Sequence, residues 1–301
     1  MEAQREILAV AGDDAGERLD RFVARALAVQ LPRARSLIEA GRVRIRGKTC
    51  SVHRKLFGGE EITVERPAPR ARASGVAEPA LRVLHDDADC LVIDKPAGLA
   101  VEPPRPGAPS VTGAALRLGR FDVDGRAAPG LAHRLDKDTS GCLLLARHDR
   151  ALAALRRGFE EGRIEKTYLA LVAGSPPGDG RLDTPYARDP ADPRRFTTRV
   201  PSPRRARLAF RVKERLRGAA LLEVALETGR THQIRVQLAD AGWPVLGDAV
   251  YGVASPALVR QALHAARLAF PAPSGAPVIV EAPLPDDLAV ALRALRDGAS
   301  P

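Results

Sequence analysis

The sequence predicts an α+β protein in which a mostly antiparallel mixed sheet is flanked by helices and loops, with a small α/β domain at the N-terminus. Strand-like and helical stretches are interspersed along the 301 residues in no regular βα alternation, which favours the α+β class. A stretch rich in Pro, Ala and Arg, residues 67–79, lacks periodicity and is typical of a linker. We therefore expect a domain at 1–66, the linker 67–79 and a larger domain at 80–301.

Composition indicates a folded protein with a basic surface. The chain is 45% hydrophobic and 28% charged, its formal net charge is +10, and it has 41 arginines but only six lysines. Arginine binds phosphate through paired hydrogen bonds and stacks on bases, so the first partner to consider is a nucleic acid. Heavy use of Ala, Arg, Gly and Pro is also what a GC-rich genome produces, so composition alone leaves both explanations open.

The cysteines and the apolar runs indicate the cellular compartment. Cys50, Cys90 and Cys142 are scattered and suggest neither a disulfide framework nor a metal-ligand pattern. No charged-then-apolar leader opens the sequence, and no run reaches the ~18 apolar residues of a membrane span. We expect a cytoplasmic monomer that does not bind membranes.

The pattern of the first 66 residues predicts two helices and a small basic sheet. The sequence predicts strands at 6–10, 42–48 and 61–65, and helices at 17–29 and 32–40. Arginines recur on both the second helix and the hairpin that follows it, and five of them are candidate phosphate contacts: Arg33, Arg35, Arg42, Arg44 and Arg46. The alternative is a solvated basic face on a structural domain.

This part of the chain resembles the S-four-type RNA-binding module, named for a small-subunit ribosomal protein. The matching residues are Arg18-Leu19-Asp20, Arg33-Ala34-Arg35-Ser36-Leu37-Ile38, Gly41-Arg42-Val43 and Gly59-Glu60-Glu61-Ile62. The resemblance implies that residues 1–66 bind RNA.

The larger domain is predicted to contain several strands with helices between them. The sequence predicts strands at 81–85, 90–94, 142–147, 166–172, 219–226, 263–270 and 279–283, and helices at 111–118, 149–161, 230–241 and 285–296. Residues 186–217 carry eleven cations against three acidic residues, which makes them a second candidate phosphate footprint. The alternative for any one of these arginines is a solubilising role.

A polar stretch, His133–Gly141, stands between two apolar runs and contains a His, an Arg, two carboxylates, a Thr and a Ser. By itself it predicts either a polar turn or reactive groups on a rigid base. No Gly-x-Ser-x-Gly elbow supports a Ser/His/Asp hydrolase, and no glycine-rich phosphate loop or dinucleotide fingerprint is present. The spacing of His133, His232, His264 and Asp136 matches no known metal-ligand pattern.

Four motifs occur in order and carry a specific resemblance. They are Ile93-Asp94-Lys95-Pro96-Ala97-Gly98-Leu99, His133–Gly141, Gly229-Arg230-Thr231-His232-Gln233-Ile234-Arg235, and Gly242–Gly252. Over about residues 80–295 the chain is similar to the RluA-type family of pseudouridine synthases. The resemblance implies that family's fold and the isomerisation of uridine in RNA, with no cofactor and no metal. The N-terminal module is similar to the one that family members acting on large-subunit ribosomal RNA often carry, so the leading hypothesis is a pseudouridine synthase of large-subunit ribosomal RNA.

The resemblance also implies roles for individual residues. Asp136 stands at the position of the catalytic carboxylate and Arg235 at that of its ion-pairing arginine. Tyr168 matches the tyrosine that packs on the uracil, Arg134 is a candidate to fill the space of the flipped base, and Leu263 a candidate apolar wall. Read without the resemblance, Tyr168 is compatible with ordinary core and Arg235 with a phosphate contact on a helix surface. His133 and Thr139 are expected to lock the Asp136 loop.

Three departures from the family pattern concern the RNA target and local packing. Glu102 and Gln237 stand where the family often has His, and Leu208 where it usually has Thr. The departures leave Asp136, Tyr168 and Arg235 in place. There are two alternatives to the leading hypothesis. The intact Asp136, Tyr168 and Arg235 set argues against a non-catalytic RNA-binding or ribosome-assembly protein, and the N-terminal module argues against a pseudouridine synthase directed at tRNA.

Overall fold

A computed structural model describes residues 4–29, 31–66, 78–256, 258–298 and 300. Most of the predicted linker, residues 67–77, lies outside the described residues. The division into domains at 1–66 and 80–301 therefore stays a prediction.

The N-terminal part packs two helices against a small sheet. Its strands are β1 (Gln4–Ala9), β2 (Val43–Ile45), β3 (Lys48–Thr49) and β4 (Glu61–Arg66), and its helices are α1 (Leu19–Ala26) and α2 (Leu31–Glu39). The strands pair antiparallel in the order β1-β4-β2-β3. Val43 and Ile45 are buried while Arg44 is exposed, so the basic alternation has the two faces that the sequence predicts.

The larger part contains the remaining elements. Its strands are β5 (Arg82–Asp86), β6 (Cys90–Lys95), β7 (Gly130–Leu131), β8 (Ser140–Ala146), β9 (Glu165–Ala173), β10 (Gly180–Pro185), β11 (Ala187–Arg188), β12 (Phe196–Thr197), β13 (Arg205–Leu216), β14 (Ala219–Leu226), β15 (Leu263–Pro271) and β16 (Pro277–Glu281). Its helices are α3 (Val111–Ala115), α4 (Asp149–Glu160), α5 (Gln233–Asp240) and α6 (Asp286–Arg296).

Most of these strands form one mixed sheet. Across the described residues the order is β10-β13-β14-β9-β15-β8-β6-β5, with β16 added to β15 and β7 to β8. The pairing of β15 with β8 is parallel, and the other pairings are antiparallel. The predicted α+β class with a mostly antiparallel mixed sheet is confirmed.

Strand β8 lies deep in this sheet and all seven of its residues are buried. Leu143 and Leu145 belong to a large apolar cluster on one face, whereas Cys142 and Leu144 belong to a smaller cluster on the other. Because a fully buried strand is held from both faces, the loop that leads into it, which contains Asp136, has a rigid base.

The arginine-rich region is more ordered than its charge suggests. Within 186–217 the chain forms the small hairpin β11–β12 and the long strand β13. Along β13, Ala206, Leu208 and Phe210 are buried in alternation with exposed residues. The period of two is present in the sequence, but the density of arginines directs the interpretation of residues 186–217 to charge.

Candidate active site

Asp136 lies in the loop between β7 and β8, and its carboxylate is reached from two sides. Its side chain is 25% exposed, and Oδ2 accepts a hydrogen bond of 2.8 Å from Nη1 of Arg235. On the other side, Nε2 of His232 lies 3.9 Å from Oδ1. The carboxylate is thus partly open to solvent. It is bonded by a group 99 residues further along the chain and faced by another 96 residues further along.

Arg235 is a buried cation at the start of α5, with its side chain only 6% exposed. Its Nε and Nη2 donate to the two oxygens of Asp248 at 2.6 and 2.8 Å, while Nη1 is directed at Asp136. Such a paired arrangement fixes the plane of the guanidinium. Asp248 therefore positions Arg235, and Arg235 positions Asp136.

The buried ion pair stays charged. Burial opposes the charge on Arg235, but the hydrogen bonds and charge of Asp248 outweigh it and raise the pKa of Arg235 above its ordinary value. Burial also opposes the charge on Asp248, yet Arg235 and the backbone N–H groups of Val250 and Tyr251 lower the pKa of that carboxyl. The site thus holds a permanent positive charge next to Asp136.

Lys95 fixes the Asp136 loop to the end of β6 through three hydrogen bonds. The residue is fully buried, and its Nζ donates to the backbone oxygens of Pro96, Leu99 and Lys137 at 2.7 to 2.8 Å. Burial lowers the pKa of Lys95 to about 8. Since Lys137 directly follows Asp136, the ammonium group joins the end of β6 to the loop that carries the carboxylate.

A second set of polar side chains holds the far end of the same loop. Arg260 donates to the backbone oxygen of Asp138 at 3.0 Å and is itself held by Asp287 at 2.6 Å. Ser140 bonds Nδ1 of His264 at 2.9 Å. Thr139 accepts from the amide of Gln261 at 3.2 Å, so the structural role expected for Thr139 agrees with its contacts.

His133 is also structural. Its Nε2 accepts a hydrogen bond of 3.0 Å from the backbone N–H of Leu144 on β8. Burial lowers the pKa of His133 to about 3, so the imidazole stays neutral. It ties the start of the polar stretch to the buried strand.

Tyr168 and Leu263 lie on neighbouring strands and share one apolar cluster with Leu135, directly before Asp136 in the chain. Both are almost fully buried. Burial, and next the charge of Asp136, raise the pKa of Tyr168 well above its ordinary value, so the phenol stays neutral. Within the described parts of the chain no hydrogen bond engages its hydroxyl.

Arg134 points away from this core. Its side chain is 69% exposed, and Nη1 lies 3.8 Å from Oε2 of Glu102, which is 58% exposed. A pair this exposed contributes little to stability. Arg134 is therefore free to exchange its partner, and Glu102, one of the departures from the family pattern, is its neighbour.

The other two departures are accommodated inside the fold. The amide of Gln237 donates to Thr184 Oγ1 and to the backbone oxygen of Ala206, both at 3.0 Å. Leu208 is fully buried in the main apolar cluster. Neither residue disturbs the arrangement around Asp136.

The arginines of the N-terminal part differ in their exposure and in whether another group of the protein already accepts their hydrogen bonds. Arg35 bonds Asp20 at 2.9 Å, and Arg44 donates to the backbone oxygen of Gly41 at 3.2 Å. Arg44 and Arg46 are exposed, while Arg33 and Arg42 are half-buried. Their role as phosphate contacts remains a prediction.

The second basic cluster is partly compensated. Several of its cations pair with acids that lie outside 186–217: Arg199 with Asp240, Arg205 with Asp183, Arg207 with Glu227, and Arg211 and Lys213 with Glu223. The local excess of charge counted along the sequence therefore overstates the field at this surface. Its use as a phosphate footprint remains a prediction.

One group of side chains outside this site has the donor types of a metal centre. His85, Asp87 and Cys90, at the turn between β5 and β6, offer ligand atoms within 4.8 Å of one another. These donors already engage one another, with 2.9 Å between His85 Nε2 and Asp87 Oδ2 and 3.7 Å between Cys90 Sγ and the same oxygen. Sequence reasoning missed this group because it weighed the cysteines and the histidines separately.

Sequence reasoning also missed several residues that build the site. Lys95, Asp248 and Tyr251 lie inside the quoted motifs. Residue type alone did not show that Lys95 holds the Asp136 loop or that Asp248 holds Arg235. Nor did it show that the Arg235 guanidinium lies over the Tyr251 ring, with Cζ 5.2 Å from the ring centroid. His232 likewise stood in a motif without a role.

None of the helices that the structure describes is long and apolar enough to cross a membrane.

Comparison with known proteins gives a consistent result. Residues 89–240 match the family model described as RNA pseudouridylate synthase. An uncharacterized RNA pseudouridine synthase of Chloroflexus aurantiacus is 43% identical, over all of this chain and 96% of that protein. The ribosomal large subunit pseudouridine synthase D of Nitrosomonas europaea is 38% identical, over 96% of this chain and 88% of that protein. Among solved structures, human RNA pseudouridylate synthase domain containing 4 superposes with a TM-score of 0.58 and 25% identity, over 71% of this chain and 93% of that one.

Proposed function

The chain belongs to the RNA pseudouridylate synthase family and is an isomerase, and from this premise we propose that it converts specific uridines of large-subunit ribosomal RNA to pseudouridine. Relatives named ribosomal large subunit pseudouridine synthase D, from Nitrosomonas europaea and Xanthomonas campestris, support this substrate, since each is 38% identical over nearly the whole chain. The basic N-terminal part, with its exposed and half-exposed arginines, also supports a large structured RNA.

The observation that supports the proposal most strongly is the pair of linked ion pairs Asp248–Arg235 and Arg235–Asp136. It places one partly exposed carboxylate beside a permanent buried cation. The isomerisation breaks the bond from uracil N1 to ribose C1′ and forms a bond from C5 to the same carbon, while C5 loses a proton and N1 gains one. We propose Asp136 as the carboxylate that acts on the flipped nucleotide. Attack on the sugar, attack on the base and removal of a sugar proton all remain compatible with its position.

The neighbouring side chains fit the needs of an extruded base. We propose that the ring of Tyr168 packs on the uracil and that Leu263 forms an apolar wall of the pocket. A base taken out of the stack leaves a gap in the RNA. The exposed guanidinium of Arg134, which lies 3.8 Å from Glu102, is the candidate to occupy that gap.

Mapping pseudouridine in RNA tests the proposed substrate. We expect at least one large-subunit ribosomal RNA position to be pseudouridine in cells with the gene and uridine in cells without it. A change confined to tRNA supports the tRNA-directed alternative. An unchanged map supports a non-catalytic RNA-binding or ribosome-assembly protein, an alternative that gives no reason for the Asp136 arrangement.

A salt titration tests the proposed RNA contacts of the N-terminal part. Replacing Arg42 and Arg44 by Gln is expected to lower the slope of log affinity against log salt by about one for each phosphate that is no longer neutralised. Arg25→Gln is the matched control, because Arg25 is exposed but paired with Asp14 and Glu17. Equal slopes for the double variant and the control contradict the proposed role of these arginines.

We further propose that the protein is a monomer and works in the cytoplasm.

A further inference from the structure

His232 has an unusual backbone conformation directly before α5. Its φ and ψ are 57° and 19°, in the left-handed region that residues other than glycine adopt rarely. Such a conformation is costly and persists where the surrounding contacts impose it. Three residues later the same segment presents Arg235, so the turn at His232 sets both side chains beside Asp136.

Two aromatic rings lie beside the imidazole of His232. Its ring centroid lies 5.6 Å from that of Tyr251 and 6.1 Å from that of Phe196, with the planes steeply inclined. Its Nδ1 is 3.1 Å from the hydroxyl oxygen of Tyr251, and its Nε2 faces Oδ1 of Asp136 at 3.9 Å. The two nitrogens thus face two different groups, and the Asp136 oxygen concerned is the one that Arg235 leaves free.

The hydrogen bonds around the ring favour one tautomer. The backbone N–H of Phe196 donates to the hydroxyl oxygen of Tyr251 at 2.9 Å, which leaves the hydroxyl proton available for Nδ1 of His232. Burial lowers the pKa of His232, and the charge of Asp136 offsets only part of this, so the ring is neutral. A neutral ring that accepts at Nδ1 carries its proton at Nε2, on the side of the carboxylate.

We propose that His232 is a second positioning residue for Asp136, whose Nε2–H donates to Oδ1 once the RNA is seated while Arg235 holds Oδ2. This inference rests on the proposed function. Two donors on the two oxygens fix the rotation of the carboxylate plane, which a single ion pair leaves free. Tyr251 orients the imidazole through its hydroxyl, and the hairpin β11–β12 orients Tyr251 through Phe196.

Two amide substitutions separate this role from a purely structural one. The amide nitrogen of Gln can occupy the place of Nε2, whereas the shorter Asn reaches only the place of Nδ1. Asn adopts the left-handed conformation readily. A backbone role therefore predicts that His232→Asn is the milder variant, and the positioning role predicts that His232→Gln is.

The test is single-turnover release of tritium from a large-subunit ribosomal RNA transcript labelled with [5-³H]uridine. We expect His232→Asn to slow release about 10- to 100-fold and His232→Gln to slow it less than about 5-fold, because small misplacements of a reacting group cost about this much. The RNA dissociation constants are expected to stay within about twofold of wild type. Equal rates for the two variants, or a faster His232→Asn, overturn the proposal.

A double-mutant cycle tests the link through Tyr251. If Tyr251 acts through His232, the variant that combines His232→Asn with Tyr251→Phe is no slower than His232→Asn alone. Independent, multiplying effects overturn that link. A wild-type protein that releases no tritium contradicts the proposed function itself, whereas an active wild type matched by His232→Asn refutes only the role of His232.

Discussion

Arg235 and Asp136 are joined by a hydrogen bond of 2.8 Å between Nη1 and Oδ2, although they lie 99 residues apart in the chain. The arginine has no freedom to move away, because both oxygens of buried Asp248 hold its other two nitrogens. Asp248 therefore acts on the geometry of the Asp136 carboxylate through Arg235.

The first prediction concerns Arg235→Lys. Lysine keeps the charge but has no planar fork, so it cannot reproduce the paired bonds to Asp248 together with the bond to Asp136, and Asp248 is left imperfectly paired. We expect tritium release to slow at least about 100-fold and the free energy of unfolding to fall by about 3 kcal/mol. Urea denaturation gives the second value. A lysine variant with wild-type activity would show that the bidentate pair does not position Asp136.

The second prediction concerns Lys95→Met. Methionine fills a similar volume but donates no hydrogen bond, so the oxygens of Pro96, Leu99 and Lys137 are left without their shared donor. We expect the free energy of unfolding to fall by about 1–3 kcal/mol and activity to fall about 10-fold or more. Lys213→Met is the control, since Lys213 is exposed and paired with Glu223 on the surface. Equal decreases in the two variants argue against a clamp.

The third prediction compares two glycines that both have positive φ. A Cβ at Gly141, with φ of +107°, would lie 2.2 Å from the backbone oxygen of Ala265, whereas one at Gly98, with φ of +81°, would meet nothing within 4 Å. Gly98→Ala is expected to cost about 1 kcal/mol of unfolding free energy from the backbone alone. Gly141→Ala must also separate β8 from β15, and we expect a cost of more than about 3 kcal/mol. Similar costs for the two variants would show that the close approach is unimportant.

The fourth prediction is a pH dependence in the N-terminal part. The hydrogen bonds from Arg18, then burial opposing them, and then the bond from Arg35 leave the pKa of Asp20 at about 2. An unfolded aspartate titrates near pH ~3.9, so between these values the unfolded chain binds more protons. The stabilisation is complete above pH ~4 and disappears as pH falls toward about 2. The difference in unfolding free energy between wild type and Asp20→Asn should therefore shrink across this window, and a constant difference contradicts the ion pair.

Much of the fold could be predicted because its period is visible in the residues. The run Ala219–Leu226 is a strand with the predicted bounds, and α3 begins at Val111 as predicted, where Ser110 accepts a 3.0 Å hydrogen bond from the backbone N–H of Gly113. Strand β13 has a period of two, but the arginines on its exposed face obscure that period, because they are equally typical of a charged loop.

The site was only partly visible in the sequence. Asp136, Arg235 and Tyr168 were identified by the resemblance to a family, not by periodicity. The roles of Lys95, Asp248 and His232 depend on contacts between distant parts of the chain, because a buried lysine and a solvated one look alike in a sequence. Only the fold shows which carbonyls or carboxylates they meet.

The most direct test of the central claim is Asp136→Asn, assayed by tritium release from large-subunit ribosomal RNA labelled with [5-³H]uridine. The amide keeps the size of the side chain and removes the negative charge that we assign to catalysis. We predict no detectable release, with RNA affinity within about twofold of wild type. Release by Asp136→Asn at the wild-type rate would contradict the catalytic role of this carboxylate.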